Sequence, residues 1–459
     1  MPMIRLFNHY LSARTLLLTA IEMVVLFQSM VLGYQLRMAE YAMRVPISEA
    51  ALFTVTMLLM MTSLGLYQPQ PEPFRATVRR VLVAYGLTLV LMSVVFYLLP
   101  MFYVGRGVFA ASSLFAMAGV LLVRLMFFRI SDVGLPRRRV LVLGNGPEAE
   151  EVVRYLHGSE MVRSIDYAGL YPVISERDDG EPSRRINHDR LLRSVRELRV
   201  SEIVIAVRER RGGVLPLRQL LDARLAGVRV MDLAAFYERE RGMLKVDNLR
   251  ASWLIFGQGF DRGMARDIIK RMFDVVVSSL LLVLLAPLVL VAMVLIALES
   301  GWPVLYRQER IGEGGAPFML YKLRSMRQDA EKDGQPRWAE DGDSRITRMG
   351  AFLRTTRLDE VPQLFNVLRG DMSFVGPRPE RGFFVQRLIE QIPYYDVRHS
   401  VKPGITGWSQ VRYPYGASVE DSLAKLQYDL YYVKNHSLFL DLLILVETIQ
   451  VVVLGKGAR

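Results

Sequence analysis

Apolar residues in this chain are gathered into long blocks, and the blocks restrict what it can fold into. Four of them fall within the first 130 residues, at Leu16–Gly33, Ala50–Leu66, Val81–Leu99 and Val108–Phe128. Each approaches the ~20 residues with which an α-helix crosses the hydrocarbon core of a bilayer, and the second is near the short end. Hydrophobic residues make up 51% of the 459 positions and charged residues 23%, so the apolar material is segregated rather than mixed. The expectation is a membrane α-helical bundle of four transmembrane helices over residues 1–134; the competing reading is four buried helices of a soluble domain. Similar blocks follow the first and no clear small-residue cleavage site ends it, so it reads as a retained anchor rather than a signal peptide.

Cations orient the bundle. Arg5 and Arg14 precede the first block, Arg75, Arg79 and Arg80 lie in the second connection, and Arg129, Arg137, Arg138 and Arg139 follow the fourth. The first and third connections hold only Arg37, Arg44 and Arg106. Positive charge collects on the cytoplasmic side, which puts the N-terminus and everything after Phe128 there. The formal charge of +12 is compatible with nucleic acid, a membrane surface or an anionic substrate. Because the arginines flank apolar blocks and phosphate-like motifs, the last two are favoured and no nucleic acid is expected as a partner. With no cysteine, disulfides and thiolate metal sites are excluded.

After the basic run comes RVLVLGNGPEAEEVVRYL, a strand at Val140–Leu143 followed by a glycine turn and a helical pattern. The turn, Gly144-x-Gly146-x-x-Ala149, is a form of the dinucleotide fingerprint, whose backbone N–H groups at a helix start can cradle phosphate. Strand-like runs at Tyr167–Tyr171, Glu202–Val207 and Val228–Met231, with a helical stretch at Asp189–Leu198, predict a Rossmann-like α/β domain over residues 135–255. The acidic residue expected after the second strand is missing, since Leu170, Tyr171 and Pro172 stand there, and Pro147 sits inside the turn. A regulatory or dimerising domain that offers a homodimer surface is therefore the better reading than a bound dinucleotide.

A fifth apolar block runs from Met272 to Leu298, behind Lys270 and Arg271. Pro287 near its middle removes a backbone hydrogen bond. The sequence beyond it is again basic, with Arg307, Arg310, Lys322, Arg324 and Arg327. Cations on both flanks predict a re-entrant, Pro-broken helix over 268–299 that dips into the membrane and returns; a plain fifth crossing is the rival. Arg271 and Asp274, three apart, are placed to pair on one face. Leu438–Leu454 is apolar but carries Asp441 and Glu447, which suits a helix on the membrane surface or on the domain.

The densest motif is Arg354–Glu380, RTTRLDEVPQLFNVLRGDMSFVGPRPE. Asp359 and Glu360 stand among arginines, and the stretch ends in the turn Pro377-Arg378-Pro379. With no Cys and only five His, Asp and Glu are left to carry the chemistry, most naturally on a phosphate ester held with a divalent metal. Upstream are PVLYRQERIG and FMLYKLRSM, with Lys322 and Arg324; downstream is VKPGITGWSQV. Guanidinium forks suit phosphate oxygens, and a lysine acts as a point charge.

This series, in this order, resembles the bacterial sugar transferase family, the polyprenyl-phosphate hexose-1-phosphate transferases or monotopic phosphoglycosyl transferases. The likeness covers roughly Asp267 to the C-terminus, and the membrane helices with the α/β domain resemble the long form found in exopolysaccharide and O-antigen assembly. It implies an α/β monotopic catalytic domain over 256–459 in a multi-pass protein of the bacterial inner membrane. It also implies that Asp359 attacks the β-phosphate of a UDP-sugar, releasing UMP, and that undecaprenyl phosphate then takes the sugar phosphate from the aspartate. Glu360, helped by Asp359, is assigned to Mg²⁺, and Lys322, Arg324, Arg354 and the Pro377-Arg378-Pro379 turn to substrate phosphates. Many members carry Ser-Pro at the helix break where Ala286-Pro287 stands here, which bears on the angle of the break. Two rivals remain: a nucleotide-sensing membrane scaffold working through Gly144–Ala149, and a transferase that moves the sugar alone and releases UDP. The sugar itself is not legible; glucose is the choice by analogy.

Overall fold

The computed structural model describes residues 3–38, 46–67, 73–132, 137–158, 165–172, 188–207, 215–246, 259–260, 263–330, 343–413, 416 and 418–453. The chain divides into two compact units, one of Met1–Leu6 with Tyr10–Glu240 and one of Phe7–His9 with Arg241–Arg459. The domain limits expected at 134/135 and 255/256, and Arg44, lie outside the described residues.

The chain opens with a short hairpin, β1 (Met3–Leu6) and β2 (His9–Ser12), of which Phe7–His9 belong to the second unit, and the first unit continues into α1 (Ala13–Met38), α2 (Ile47–Ser63), α3 (Phe74–Leu98) and α4 (Arg106–Asp132). The apolar spans in α1, α3 and α4 are long enough to cross a membrane, as is a fourth helix, Met264–Ser300, in the second unit. α2, with 17 residues, is shorter than these four and stands at the short end of what crosses a bilayer, as its sequence block did. Its pattern ran on to Leu66, but Gly65 takes φ +73° and stops the helix, as glycine does readily past a C-terminus. Leu26, Met30, Phe53, Met57, Met61, Val81 and Ala116 form the buried seam of the four. Small residues let α1 and α4 approach: a Cβ on Gly33 would run into Ser112, and one on Gly119 into Val25. Glu22 and Arg124, 2.7 Å apart and both buried, pair across this contact.

The same unit holds a four-stranded, all-parallel sheet. Strands β3 (Arg138–Leu143), β4 (Ile165–Tyr171), β5 (Glu202–Ile205) and β6 (Arg229–Asp232) take the order β4-β3-β5-β6. Helices α5 (Pro147–Gly158), α6 (His188–Glu197), α7 (Leu217–Leu225) and α8 (Leu233–Arg241) alternate with the strands, as the sequence pattern predicts. Gly144 (φ +155°) leaves β3 where any Cβ would strike the Ala206 carbonyl, so the glycine turn answers first to strand packing.

The second unit is built on α9 (Met264–Ser300), one 37-residue helix with Pro287 inside it. The chain stays helical on both sides of the expected break. Proline fits helical φ; it withdraws its own N–H bond and its ring crowds the carbonyl four residues earlier, which bends a helix without ending it where the rest of the ladder holds. The other elements are the antiparallel pair β7 (Leu305–Ile311) and β8 (Pro317–Leu323), α10 (Arg348–Thr356), α11 (Gln363–Arg369), β9 (Ser373–Val375), α12 (Gly382–Gln391), β10 (Gly404–Thr406), α13 (Trp408–Arg412), α14 (Val419–Asn435) and α15 (Leu438–Val453). β9 and β10 pair in parallel. Arg271 and Asp274 do not pair with each other: Arg271 donates to the Val367 and Leu368 carbonyls, and Asp274 accepts the Phe374 N–H at 3.0 Å. Backbone groups that need partners outcompete a surface ion pair here. α15 keeps its two acids inside the domain, Asp441 on Lys270 (2.7 Å) and Glu447 on Arg412 (2.6 Å).

Candidate active site

α10 delivers the dyad. Its first turn is capped by the Thr347 hydroxyl and by Glu299, whose carboxylate accepts the Arg348 and Met349 N–H groups. Its last turn ends at Arg357, a non-glycine residue in the left-handed region (φ 59°, ψ 14°). That reversal throws the chain into a single 3₁₀ turn, Leu358–Glu360, and buries both carboxylates. Strained backbone of this kind is held only where the surroundings enforce it, and it concentrates at functional sites.

The two acids are adjacent and differently equipped. Glu360 lies 3.2 Å from Lys322, 3.3 Å from Arg378 and 3.8 Å from Arg357. Burial opposes its ionisation, but Lys322, then Arg378 and Arg357, overrule it and hold the carboxyl well below the ordinary range. Asp359 is pushed the other way, by burial first and by the charge on Glu360 second; Lys322, Arg354 and Arg357 only partly offset this. Its Oδ1 is buried without a hydrogen-bond partner. Burial also lowers the Lys322 ammonium, against the pull of Glu360.

The Pro377-Arg378-Pro379 turn is fixed by its carbonyls. Pro377 O accepts the Gly404 N–H at 2.9 Å, Arg378 O accepts Arg398 Nη2 at 2.9 Å, and Pro379 O accepts Arg310 Nη1 at 3.3 Å. Glycines make the approach: a Cβ on Gly404 would collide with the Gly376 amide, and one on Gly407 with the Gly376 carbonyl. Arg398 is anchored in turn by Asp429 at 2.7 Å and by the Tyr395 hydroxyl at 2.8 Å.

Lys322 and Arg378 therefore converge on the dyad. Arg354, in the last turn of α10, acts on Asp359 through its charge. Arg357 joins them, 3.8 Å from Glu360 and acting by its charge on Asp359. Arg324 is turned elsewhere: its Nη2 donates to Ser300 O, Ser300 Oγ and Gly301 O, closing the carbonyl end of α9. Pro377 and Pro379 shape the backbone and offer only accepting carbonyls. Pro287 lies on α9 outside this cluster. Arg310, Arg398, Asp429 and Gln410 were not chosen from the sequence as site residues; their link to the turn is long-range and carries no local signal.

Among the described residues no group of three or more His, Asp or Glu is placed to hold a metal ion. The dyad alone, with its one unpartnered buried oxygen, fits the mode in which one or two carboxylates and substrate phosphates share Mg²⁺.

Residues 265–455 match the bacterial sugar transferase family. The chain is 43% identical over 242 residues to the UDP-N-acetylgalactosamine-undecaprenyl-phosphate N-acetylgalactosaminephosphotransferase of Aeromonas hydrophila, covering 53% of this chain and 56% of that protein. It is 45% identical over 190 residues to the UDP-glucose:undecaprenyl-phosphate glucose-1-phosphate transferase of Caulobacter vibrioides, covering 40% of this chain and 70% of the relative. A protein of the same name from Xanthomonas campestris pv. campestris is 34% identical over 337 residues, 70% of this chain and 68% of the relative, so that likeness reaches well beyond the matched family region. On these matches the chain belongs to the bacterial sugar transferase family.

Proposed function

We propose that the protein transfers a hexose-1-phosphate from a UDP-sugar to undecaprenyl phosphate, releasing UMP, as an early membrane step in building an exopolysaccharide or O-antigen repeat unit. The observation that carries this reading is the pair of adjacent buried carboxylates tuned in opposite directions beside a rigid, arginine-bearing turn. Asp359 is the nucleophile: one carboxylate oxygen forms a bond to the β-phosphorus, the bond to the α-phosphate oxygen breaks, and UMP leaves with the electron pair. The phosphate oxygen of undecaprenyl phosphate then attacks the same phosphorus and returns the carboxylate. Lys322, Arg354, Arg357 and Arg378 surround the charge that moves. Mg²⁺, when bound by Asp359 and Glu360 with the donor phosphates, supplies neutralisation of the diphosphate.

The same reading makes α9 re-entrant and the site cytoplasmic. Its support is that both ends of α9 are gripped by one domain. Arg271 holds the Val367 carbonyl, Val367 clusters with Leu320 of β8, and Ala292 and Ile296 cluster with Leu323 of the same strand. Leu320 and Leu323 are about 10 Å apart along a strand, whereas a straight helix carries Arg271 and Ala292 about 32 Å apart. A site beside such a helix meets a soluble sugar nucleotide and a lipid phosphate together.

The test is UMP release from a UDP-sugar by the full chain in membranes supplied with undecaprenyl phosphate. Asp359→Asn abolishes it; unchanged release overturns the nucleophile, and UDP as product overturns the reaction. The relatives' names differ between glucose and N-acetylgalactosamine, so a donor panel in the same assay assigns the sugar.

A further inference from the structure

Arg378 points its fork in two directions. Nη2 reaches Glu360 Oε1 at 3.3 Å and Nη1 reaches Gln410 Oε1 at 3.2 Å. The Gln410 amide is oriented, because its Nε2 faces the Ile405 carbonyl at 3.4 Å; reversed, it would set donors against the guanidinium. Gln410 sits in the middle of α13, which has five residues, too few to hold a helix by its own hydrogen bonds. Trp408, 1% exposed, anchors the head of that helix.

Four partners hold Trp408. Its Nε1–H donates to Gly242 O at 2.7 Å, Tyr431 stacks on it at 5.9 Å, and the Arg412 guanidinium lies 4.2 Å over the ring. The fourth is His9, whose ring meets Trp408 edge-on at 5.5 Å and bonds the Tyr431 hydroxyl through Nδ1 at 2.7 Å. His9 directly follows the two-residue turn of the hairpin ahead of α1. Phe7 and Asn8 in that turn both take positive φ (46° and 66°), a costly state for Phe. Contacts at the tip sustain it: the Phe7 ring lies 5.8 Å from Phe439, and Phe7 O accepts the Ser437 hydroxyl at 3.3 Å. Burial, helped by the Arg412 charge, pushes the His9 imidazole down to about 4, so it is a neutral packing element near pH 7.

We infer that Gln410 is a positioning residue for the transfer reaction, holding Arg378 against Glu360, and that the Phe7–His9 turn sets the helix that carries it. A segment about 350 residues before the dyad is then part of the site's support. This rests on the reaction proposed above, so the test includes a readout that needs no turnover.

Gln410→Met keeps the side chain's length and removes the acceptor. In the full chain it raises KM for the UDP-sugar about 10-fold, roughly one lost hydrogen bond to a charged group, with kcat and thermal midpoint little changed. Gln410→Glu, which restores an acceptor oxygen, recovers most of the loss. His9→Ala shifts KM the same way, and the double variant is no worse than either single one, because both act through the same contact. Independently, the rate at which phenylglyoxal modifies Arg378, followed by peptide mass spectrometry, rises several-fold in Gln410→Met and His9→Ala. Unchanged Arg378 reactivity in Gln410→Met overturns the positioning role whether or not UMP is released. Additive effects of His9→Ala and Gln410→Met overturn the link to the N-terminal turn. Absence of UMP from the unaltered protein overturns only the reaction.

Discussion

Replacing Asp359 by Asn should make the catalytic domain more stable while silencing it. Asp359 is buried, its Oδ1 lacks a hydrogen-bond partner, and Glu360 adds like charge beside it. Asn keeps an acceptor oxygen there but drops the charge, and a buried charged group left short of partners costs more than the about 1–3 kcal/mol of a neutral one. Lys322, Arg354 and Arg357 recover part of that for the charged form, so the expected gain is about 1–2 kcal/mol at pH 7. For a domain of this size that is a rise of roughly 2–8 °C in the melting midpoint. The pH dependence gives the sign an independent check. A carboxyl whose folded pKa is raised above its unfolded one penalises the fold at pH above both, and the penalty disappears as pH falls through the folded and then the unfolded value. The advantage of Asp359→Asn therefore shrinks on acidification and is gone below about pH 4. Thermal unfolding of the detergent-solubilised full chain, followed by tryptophan fluorescence between pH 4 and 8, measures both. A variant no more stable than the parent at pH 7, or one whose advantage grows in acid, refutes the claim that Asp359 is held in an unfavourable charged state.

Other outcomes follow from the same geometry. The acid limb of kcat/KM should lie above the ordinary aspartate pKa, since Asp359 is raised and Glu360 does not titrate there; Lys322→Met should move it further up, and an unmoved limb would assign it to another group. Gly404→Ala should cost about 3 kcal/mol and raise donor KM by forcing the Gly376 amide and the Arg378 turn outward, whereas Gly263→Ala, with nothing near its Cβ, should leave donor KM unchanged. Arg324→Met should destabilise by roughly 2–3 kcal/mol through the uncapped Ser300 and Gly301 carbonyls without changing donor KM; a KM effect at unchanged stability would return Arg324 to the phosphate site.

What could be read from the chain alone was whatever is written locally. The alternation of strands and helices after Arg139 gave a parallel sheet, and the turn at Gly144 sits where the pattern placed it. The Leu-Asp-Glu and Pro-Arg-Pro motifs are short, contiguous and chemically unusual, so the centre of the candidate site could be named from them. Length at a helix end was not: the apolar run of α2 continues past Gly65, and only the backbone conformation there ends it. Direction was also hidden. Lys322 and Arg324 are two apart, yet one reaches the dyad and the other the end of α9, because β8 stops at Leu323 between them. Long-range support had no local signature at all, as with Arg398 beneath Arg378 and with His9, 422 positions from its partner Tyr431.

The opposed tuning of the dyad bears on the proposed covalent route. Two adjacent carboxylates in one buried turn repel until one is neutralised, by a proton or by its neighbours. Here the cations are shared unequally: Lys322, Arg378 and Arg357 lie close to Glu360, and Asp359 is left with a buried charge and an unpartnered oxygen. Under the proposed reaction, bond formation to phosphorus removes that charge from Asp359 and places the moving negative charge on phosphate oxygens that the surrounding guanidiniums can reach. The unfavourable ground state of Asp359 is relieved as the bond forms, so its burial contributes to the first step rather than opposing it. Glu360 has to stay ionised throughout to keep Lys322 and Arg378 in place, which is why removing its charge with Glu360→Gln should scatter the cations and lower kcat/KM even with Asp359 intact. If Glu360→Gln instead retained full activity with the same donor KM, the cations would have to be positioned without it, and the division of labour between the two acids would be wrong.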